Sequence, residues 1–323
     1  MTKKLGYKLF GGRPEKDMRL FQPGLFQWAH AFEEFGLHGA IDASISRDRL
    51  EEHDIVHINF APANATYTSA IREILGENSD TKIIVNIDYG TMMWNTMDPF
   101  VMRDQLKKAD FIFHVESRGA RILSKWLGRE IKVIPHPLDT DSIKQMMKLE
   151  RTPTITAQYH RYNNTWCEYF YALDEIGKEY GLDVILMNYS TKEGGRREVP
   201  INSMFTEIIG TIDYRKYLQY MAKSLINVDM TYDNTYGRGV VDAAALGVPT
   251  VGSNTIEAMR KIWPELAVEP WNSGGIEERV RILLDSEEAR NSKAESGRIA
   301  CDEYSLKSSY DKMVAALEEE GIV

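Results

Sequence analysis

Two glycines in one segment have the spacing of a phosphate-binding helix start. Residues 229–254 read DMTYDNTYGRGVVDAAALGVPTVGSN, which predicts a strand, a polar loop, a helix of small residues and a second strand. Gly237 and Gly239 stand where the loop enters the helix. A helix N-terminus presents unpaired N–H groups and the positive end of the helix dipole, which suit an anionic phosphate. Close packing of the helix on its sheet would use the same glycines, so the pattern alone leaves both interpretations open.

Polar residues also follow two strands predicted in the first half of the chain. Gly11, Gly12 and Arg13 follow the first strand, where glycines let backbone amides approach a phosphate or an acceptor. Arg13 is either an anion contact or a solvated loop residue. Asp88 follows the third strand and either orients or deprotonates an acceptor hydroxyl, or simply caps a turn.

The elements that position these residues alternate between short apolar runs and one-sided helices. Helices are predicted over Pro23–Gly36 and around Ile122–Leu127, where apolar residues recur at helical spacing. Strands are predicted at Leu5–Phe10, Asp54–Phe60, Lys82–Ile87, Asp110–Val115 and Ile131–Ile134. Such alternation indicates a parallel sheet covered on both faces, because parallel strands need crossover helices.

The same alternation restarts after a charged stretch that ends near Pro153. Strands are predicted at Thr154–Tyr159, Leu182–Met187, Phe205–Ile209, Leu225–Met230 and Pro249–Gly252. Helices are predicted over Trp166–Tyr180, Tyr214–Lys223, the residues from Gly239 onward, Ile276–Leu284 and Ser309–Leu317. The sequence therefore predicts an N-terminal domain over 1–140, a C-terminal domain over 141–305, and a last helix in 306–323 that packs back on the first domain. Because ligands bind beyond the carboxyl ends of parallel strands, we expect the site between the two domains.

Length and composition support this organisation and exclude several classes of protein. The 323 residues suggest two domains at roughly 100 to 200 residues each. A formal charge of −9 disfavours bulk binding of nucleic acid or anionic membranes. No apolar run approaches the ~18 residues of a membrane-spanning helix, and two distant cysteines, Cys167 and Cys301, offer no disulfide framework. We expect a cytoplasmic protein.

Two further kinds of site are not expected. The chain contains no Gly-x-x-x-x-Gly-Lys motif, which argues against a kinase or ATPase. His53 and His57 flank and enter a strand, so they lie about 13 Å apart at ~3.3 Å per residue and cannot share a metal. We therefore expect no metal site.

The segment around Gly237 resembles the donor loop of the glycogen-synthase-like retaining glycosyltransferases of the GT-B fold. In that family the loop reads Glu-Gly-Phe-Gly and then Glu-Ala-Met-Ala-x-Gly-x-Pro-Val-Val, and here it reads NTYG and then DAAALGVPTV. The runs DIVHINF, ADFIFHV and IPHPLD follow in the family's order, the last where the family has Ile-Pro-Asn-Gly-Val-Asp. The resemblance implies an α/β protein of GT-B architecture, with two Rossmann-like αβα domains facing each other across a cleft. The first would hold the acceptor and the second the nucleotide-sugar donor.

The resemblance also implies roles for two residues eight positions apart. The family has paired glutamates there, and this chain has Asn234 and Asp242. By analogy Asp242 binds the donor ribose and Asn234 contacts the sugar. The alternative for Asp242 is a plain acid near a helix N-terminus, favoured by the helix dipole.

A second departure concerns the residues that clamp the donor phosphates. The family uses an Arg and a Lys after the first strand of the second domain, and the corresponding loop here holds His160 and Arg161 but no lysine. Arg161 would bind the diphosphate through its planar fork of donors, unless it forms only a surface ion pair. Arg238 would then supply the second positive charge. Tyr236 stands where a sugar or base could stack, as do Tyr89 and Trp94.

The sequence as a whole predicts a glycosyltransferase that needs neither metal nor cofactor. It would move a sugar from a nucleoside-diphosphate-sugar co-substrate to an acceptor hydroxyl, with retention implied by the resemblance. Arg161 and backbone amides would stabilise the leaving diphosphate, and domain closure would exclude water. The alternatives are a sugar-nucleotide epimerase and a non-catalytic nucleotide-sugar binding module. The acceptor, whether lipid, protein, glycan, small molecule or modified nucleobase, is left open.

Overall fold

The chain forms two compact units, seen in a computed structural model that describes residues 5–10, 24–60, 66–88, 98–159, 168–187, 204–209 and 212–323. One unit comprises Met1–Asp139 together with Glu303–Val323, and the other comprises Thr140–Asp302. None of the helices within the described ranges is long and apolar enough to cross a membrane.

The first unit is built on a six-stranded parallel sheet in the order β2-β1-β3-β4-β5-β6. The strands are β1 (Gly6–Phe10), β2 (His38–Ile41), β3 (Ile55–Phe60), β4 (Lys82–Ile87), β5 (Phe111–His114) and β6 (Lys132–Val133). The helices between them are α1 (Gln27–Phe35), α2 (Arg47–Glu51), α3 (Tyr67–Leu75), α4 (Pro99–Leu106) and α5 (Ser117–Leu127). The carboxyl ends of all six strands therefore meet at one edge of the sheet.

Apolar side chains cover both faces of this sheet. One face packs on α1 through residues that include Trp28 and Phe32, and the opposite face packs on α3 through Ile71 and Leu75. The central strand β4, KIIVNI, is buried at every position after its first lysine. A strand buried on both faces reads as a nearly continuous apolar run, which is why the sequence identified it.

The second unit repeats the plan with the strand order β12-β11-β10-β7-β8-β9, all parallel. Its strands are β7 (Thr154–Gln158), β8 (Asp183–Met187), β9 (Glu207–Ile208), β10 (Ile226–Asp229), β11 (Thr250–Ser253) and β12 (Ala267–Val268). Its helices are α6 (Thr140–Lys144), α7 (Tyr169–Tyr180), α8 (Tyr214–Lys223), α9 (Arg238–Ala245), α10 (Glu257–Ile262), α11 (Ser273–Asp285) and α12 (Glu287–Ala300).

A single arginine joins the C-terminal ends of α8 and α9. The guanidinium of Arg151 donates to the carbonyl oxygens of Ala222 at 2.6 Å, Ser224 at 2.9 Å, Leu246 at 2.9 Å and Gly247 at 3.1 Å. Burial lowers the pKa of Arg151 to about 10, with a further contribution from a neighbouring arginine. The last carbonyls of a helix have no partner within it, so a cation at this place satisfies them and fixes the two helices together.

The last helix, α13 (Leu306–Glu319), belongs to the first unit. It packs on α1 through Tyr310, whose ring lies edge-on to Phe32 with 5.0 Å between the ring centroids. The helix begins after Ser305, whose Oγ accepts a hydrogen bond from the N–H of Ser308 at 3.2 Å. The apolar stripe seen in the sequence is thus the face of α13 that is buried against α1.

The two predicted parallel sheets are confirmed, whereas several elements were not predicted. Strand β2, HGAI, is a short edge strand whose first residue is exposed and whose others are half-buried, so it carries no apolar signal. In α12, EEARNSKAESGRIA, only Ala294 and Gly297 are buried. Elements that bury little surface leave little periodicity to read.

Candidate functional site

Helix α9 begins at the carboxyl edge of the second sheet, and its first residues require glycine. Gly237 caps the helix in a left-handed conformation, with φ +87° and ψ +56°. A Cβ at this position would lie 2.1 Å from Cγ2 of Ile256, so no side chain fits. The backbone at Gly237 therefore turns sharply, and the N-terminus of α9 begins at this edge of the sheet.

Polar groups from three different elements surround the second glycine, Gly239. A Cβ there would lie 3.1 Å from the hydroxyl of Tyr217 on α8, 3.6 Å from Oδ2 of Asp229 on β10, and 3.9 Å from Cδ of Gln158 on β7. The hydroxyl of Tyr217 also donates to Oε1 of Gln158 at 3.4 Å. Glycine at 239 thus keeps room for polar atoms where the helix meets the sheet. This matches close packing of the helix on its sheet, the alternative to phosphate binding that the sequence left open.

Asp242 lies one turn into α9 and is bound by two neighbouring side chains. Its Oδ1 accepts from the hydroxyl of Tyr214 at 2.6 Å and from Nε of Arg238 at 2.8 Å. Nη2 of Arg238 donates to the hydroxyl of Tyr214 at 3.0 Å, and its guanidinium lies 5.6 Å from the centroid of that ring. The three side chains form one closed cluster, which we call the Asp242 cluster.

Burial controls the protonation of the Asp242 cluster. Asp242 is only 1% exposed, and this burial raises the pKa of its carboxyl, although the Arg238 guanidinium opposes the shift. Burial likewise raises the pKa of Tyr214 well above its ordinary value. Burial alone would lower the pKa of Arg238, but the attraction of Asp242 outweighs it and the pKa is raised. Arg238 therefore stays positively charged, and the negative charge of the neighbouring Asp242 carboxylate offsets most of it.

The second carboxylate oxygen of Asp242 has a different environment. Oδ2 is buried, and no hydrogen-bond partner for it occurs among the residues that the structure describes. A buried acceptor without a partner costs free energy in the unliganded protein. Oδ2 of Asp242 lies near the start of α9, where the hydroxyl of a bound ligand would supply the donor.

The loop between β10 and α9 carries the remaining predicted donor residues. Asn234 is half-buried, and its N–H donates to Oδ1 of Asp233 at 2.8 Å. The side chain of Tyr236 is only 4% exposed, so its ring offers almost no surface for stacking. Its carbonyl oxygen accepts from the N–H of Ala258 at 3.1 Å, which holds the loop on α10.

At the carboxyl edge of the first sheet, Asp88 meets a residue that the sequence did not single out. Asp88 follows β4, its side chain is 37% exposed, and its Oδ1 lies 3.0 Å from Nε2 of His136. His136 is buried, and its Nδ1 accepts from Nε1 of Trp28 on α1 at 3.1 Å. His136 follows β6 just as Asp88 follows β4, so its position after a predicted strand was the signal that could have identified it.

His57 and His53 of the first unit each contact other side chains. His57 is fully buried between the hydroxyl of Tyr7, which contacts its Nδ1, and Oδ1 of Asn86, 2.8 Å from its Nε2. Burial lowers the pKa of His57 to about 3. His53 instead pairs with His38, with 2.8 Å between the ring nitrogens. Throughout the described ranges, no three His, Cys, Asp or Glu side chains are grouped so that they could hold a metal.

Several predicted site residues lie outside the described residues. They are Gly11, Gly12, Arg13, Tyr89, Trp94, His160 and Arg161. The arginine clamp for the donor phosphates therefore stays a prediction.

Comparisons with known proteins identify the fold. No protein-family model matches the sequence, and no curated protein sequence matches it significantly. The structure is similar to an α,α-trehalose-6-phosphate synthase from Burkholderia multivorans, with 13% identity, a TM-score of 0.65, and coverage of 92% of this chain and 81% of that chain. It is also similar to a sucrose-phosphate synthase from Thermosynechococcus elongatus, with 14% identity, a TM-score of 0.64, and coverage of 83% and 74%.

A third similar structure carries a donor analogue. It is the trehalose-6-phosphate protein of E. coli bound with UDP-2-fluoro glucose, with 12% identity, a TM-score of 0.62, and coverage of 84% of this chain and 76% of that chain. These neighbours are nucleotide-sugar glycosyltransferases of GT-B architecture. The GT-B fold predicted from the sequence is therefore confirmed.

Proposed function

We propose that the protein is a glycosyltransferase that moves a sugar from a nucleoside-diphosphate sugar to an acceptor hydroxyl, with retention and without a metal. The observation that carries the proposal is the start of α9. At Gly237 a helix N-terminus begins at the carboxyl edge of a parallel sheet in a GT-B fold, and Asp242, with its buried Oδ2, lies one helical turn further along. Amides suit a diphosphate, and a carboxylate oxygen suits a ribose hydroxyl.

The charge balance around α9 decides which groups would stabilise the leaving diphosphate. Arg238 is the first residue of α9, and its guanidinium is paired with Asp242 at 2.8 Å. A second buried carboxylate, Asp229, lies close to Gly239. Because Asp242 offsets the charge of Arg238, we assign the stabilisation of the developing negative charge to the amides of α9 and to Arg161.

The first unit would bind the acceptor. Asp88 is half-exposed at the carboxyl end of β4, where a ligand of a parallel sheet is expected. Its carboxylate would accept a hydrogen bond from the acceptor hydroxyl and increase the electron density on the attacking oxygen. A further similar structure, an α,α-trehalose-phosphate synthase from Burkholderia xenovorans, is a complex with glucose-6-phosphate, which makes this compound a suitable first acceptor to test.

One observation favours a second candidate, a nucleotide-sugar binding module without catalysis. The acid of the donor loop is already bound by two side chains of the same chain, Tyr214 and Arg238. Such a cluster could serve to hold α9 in place and have no role in turnover.

Donor turnover tests the proposal. The purified protein is first screened for thermal stabilisation by nucleoside diphosphates, where a ligand at about 100 times its Kd contributes about 2.7 kcal/mol. The best donor sugar is then incubated with and without acceptors, in EDTA and in magnesium, while the released diphosphate and the anomeric configuration of the product are measured. We expect release that depends on the acceptor, is equal in both buffers and retains the configuration. Binding without release would support the binding module, and a new nucleotide sugar formed without acceptor would support an epimerase.

A further inference from the structure

Three side chains from separate parts of the first unit form a chain of polar contacts that ends at Asp88. Trp28 on α1 donates from Nε1 to Nδ1 of His136 at 3.1 Å. Nε2 of His136 lies 3.0 Å from Oδ1 of Asp88. Trp28 is fully buried and His136 is 2% exposed, whereas the side chain of Asp88 is 37% exposed. The chain therefore runs from the core to a carboxylate that a ligand can reach.

The indole fixes the tautomer of the imidazole. An indole N–H can only donate, so Nδ1 of His136 must act as the acceptor. The single ring proton of the neutral imidazole is then on Nε2, the nitrogen that faces Asp88. A proton on Nδ1 would instead point at the N–H of Trp28 and leave a buried donor unsatisfied, which is costly.

The surroundings hold both rings in place. The indole of Trp28 packs edge-on against Phe113, with 5.9 Å between centroids, and against His57, with 6.4 Å. His136 stands between two prolines, whose rings restrict the backbone on both sides. The backbone at Gly24 lies beside the imidazole, where a Cβ would make ordinary van der Waals contact with its Cδ2 at 3.6 Å.

We propose that His136 is a positioning residue for Asp88. Nε2 of His136 lies 3.0 Å from Oδ1 of Asp88, and by this close approach it orients the carboxylate that accepts the acceptor hydroxyl, an inference that rests on the proposed function. A close polar neighbour at one carboxylate oxygen favours one orientation of the side chain.

Two substitutions of His136 distinguish the contact made by Nδ1 from the contact made by Nε2. His136→Asn places an amide oxygen near the position of Nδ1, so it keeps the partner of Trp28 and loses the contact to Asp88. His136→Gln reaches Asp88 with an amide N–H and deprives Trp28 of its acceptor. His53→Asn, at a half-exposed histidine of the same unit, is the matched control.

The proposal predicts that stability and acceptor kinetics respond in opposite ways. In His136→Asn, we expect near wild-type thermal stability, an unchanged KM for the donor, and a rise of about tenfold in the acceptor KM or an equivalent loss in kcat. In His136→Gln, we expect lower stability but acceptor kinetics within about threefold of the wild type. A histidine with a purely structural role would give acceptor defects that follow the loss of stability, and that result would overturn the proposal.

Nitrogen NMR tests the same chain of contacts independently of turnover. In uniformly ¹⁵N-labelled protein, the resonances of His136 are identified among the seven histidines by their loss in His136→Asn. We expect the ring proton on Nε2, a shift of the Nε2 resonance in Asp88→Asn, and a mixture of tautomers in Trp28→Phe. A proton on Nδ1, or an Nε2 resonance unaffected by Asp88→Asn, would overturn the proposal. If no donor is turned over, the NMR result alone decides how Asp88 is held, and the acceptor role fails together with the proposed function.

Discussion

Replacing Asp242 by asparagine tests the donor site most directly, because the structure separates the two oxygens of its carboxylate. Oδ1 accepts both hydrogen bonds of the Asp242 cluster, and Oδ2 is the buried oxygen without a partner in the described part of the chain. In Asp242→Asn the amide oxygen takes the place of Oδ1 and the amide nitrogen that of Oδ2. Both existing hydrogen bonds are kept, but the buried charge that offsets Arg238 is lost, so we expect the free energy of unfolding to fall by about 3 kcal/mol.

The same substitution should weaken nucleotide binding strongly. If Oδ2 accepts from a ribose hydroxyl, the contact is a charge-assisted hydrogen bond worth about 1.5 to 3 kcal/mol. Its loss corresponds to a roughly tenfold to hundredfold rise in Kd for a nucleoside diphosphate. A 2′,3′-dideoxynucleotide has no hydroxyl to lose, so its Kd should change by less than about threefold. Titration calorimetry with the two nucleotides measures both values.

Tyr214→Phe is the matched control for this experiment. It removes the hydrogen bond that Tyr214 donates to Oδ1 and the one that its hydroxyl accepts from Arg238, and it leaves Oδ2 untouched, so it should lower the free energy of unfolding by about 3 kcal/mol and preserve the preference for ribose. Equal weakening of the ribonucleotide and the dideoxynucleotide by Asp242→Asn would refute the reasoning. Asp242 would then act only by holding α9, and the binding module without catalysis would gain support.

Three other predictions concern stability. Arg151→Met removes four hydrogen bonds to helix carbonyls, so urea unfolding should show a loss of about 3 kcal/mol, and an unchanged transition midpoint would contradict the capping role. Gly237→Ala combines positive φ with a collision and should cost about 2 kcal/mol or more, whereas Gly128→Ala, with φ +70° and nothing within 4 Å, should cost about 1 kcal/mol; equal costs would exclude the collision. The pKa of His57 is lowered to about 3, so its contribution to stability is complete above the unfolded pKa of about 6.5 and should fall by about 1.4 kcal/mol per pH unit between those values. His53, whose pKa is lowered to about 4, contributes a slope of the same sign, so chemical unfolding should show a slope that is about 1.4 kcal/mol per pH unit steeper in the wild type than in His57→Gln, and equal slopes in the two proteins would contradict the assignment to His57.

The sequence was sufficient for the regular part of the fold. Buried parallel strands such as β4 consist of consecutive apolar residues, and the stripe in α13 matches the face that packs on α1. Both signals are local, because each residue's burial follows from its position in a repeating element. The position of Gly237 at the start of α9 could also be predicted, since a left-handed turn at a helix start tolerates few other residues.

The candidate site could be predicted only in part. The sequence and the resemblance placed Asp242 and Arg238 near a donor, but they could not show that the two side chains pair with each other and with Tyr214. That pairing joins α8 to α9, and it depends on how the helices pack. It also converts Arg238 from an available cation into one whose charge is largely offset.

His136 shows most clearly what only the tertiary structure decided. In the sequence it stands between two prolines, more than forty residues after Asp88 and more than a hundred after Trp28. Only the order of the strands brings the ends of β4 and β6 and the buried face of α1 together, so that one imidazole contacts both side chains. Periodicity reports how one element is buried, whereas a polar contact between elements depends on sheet order and crossover path, which no local pattern encodes.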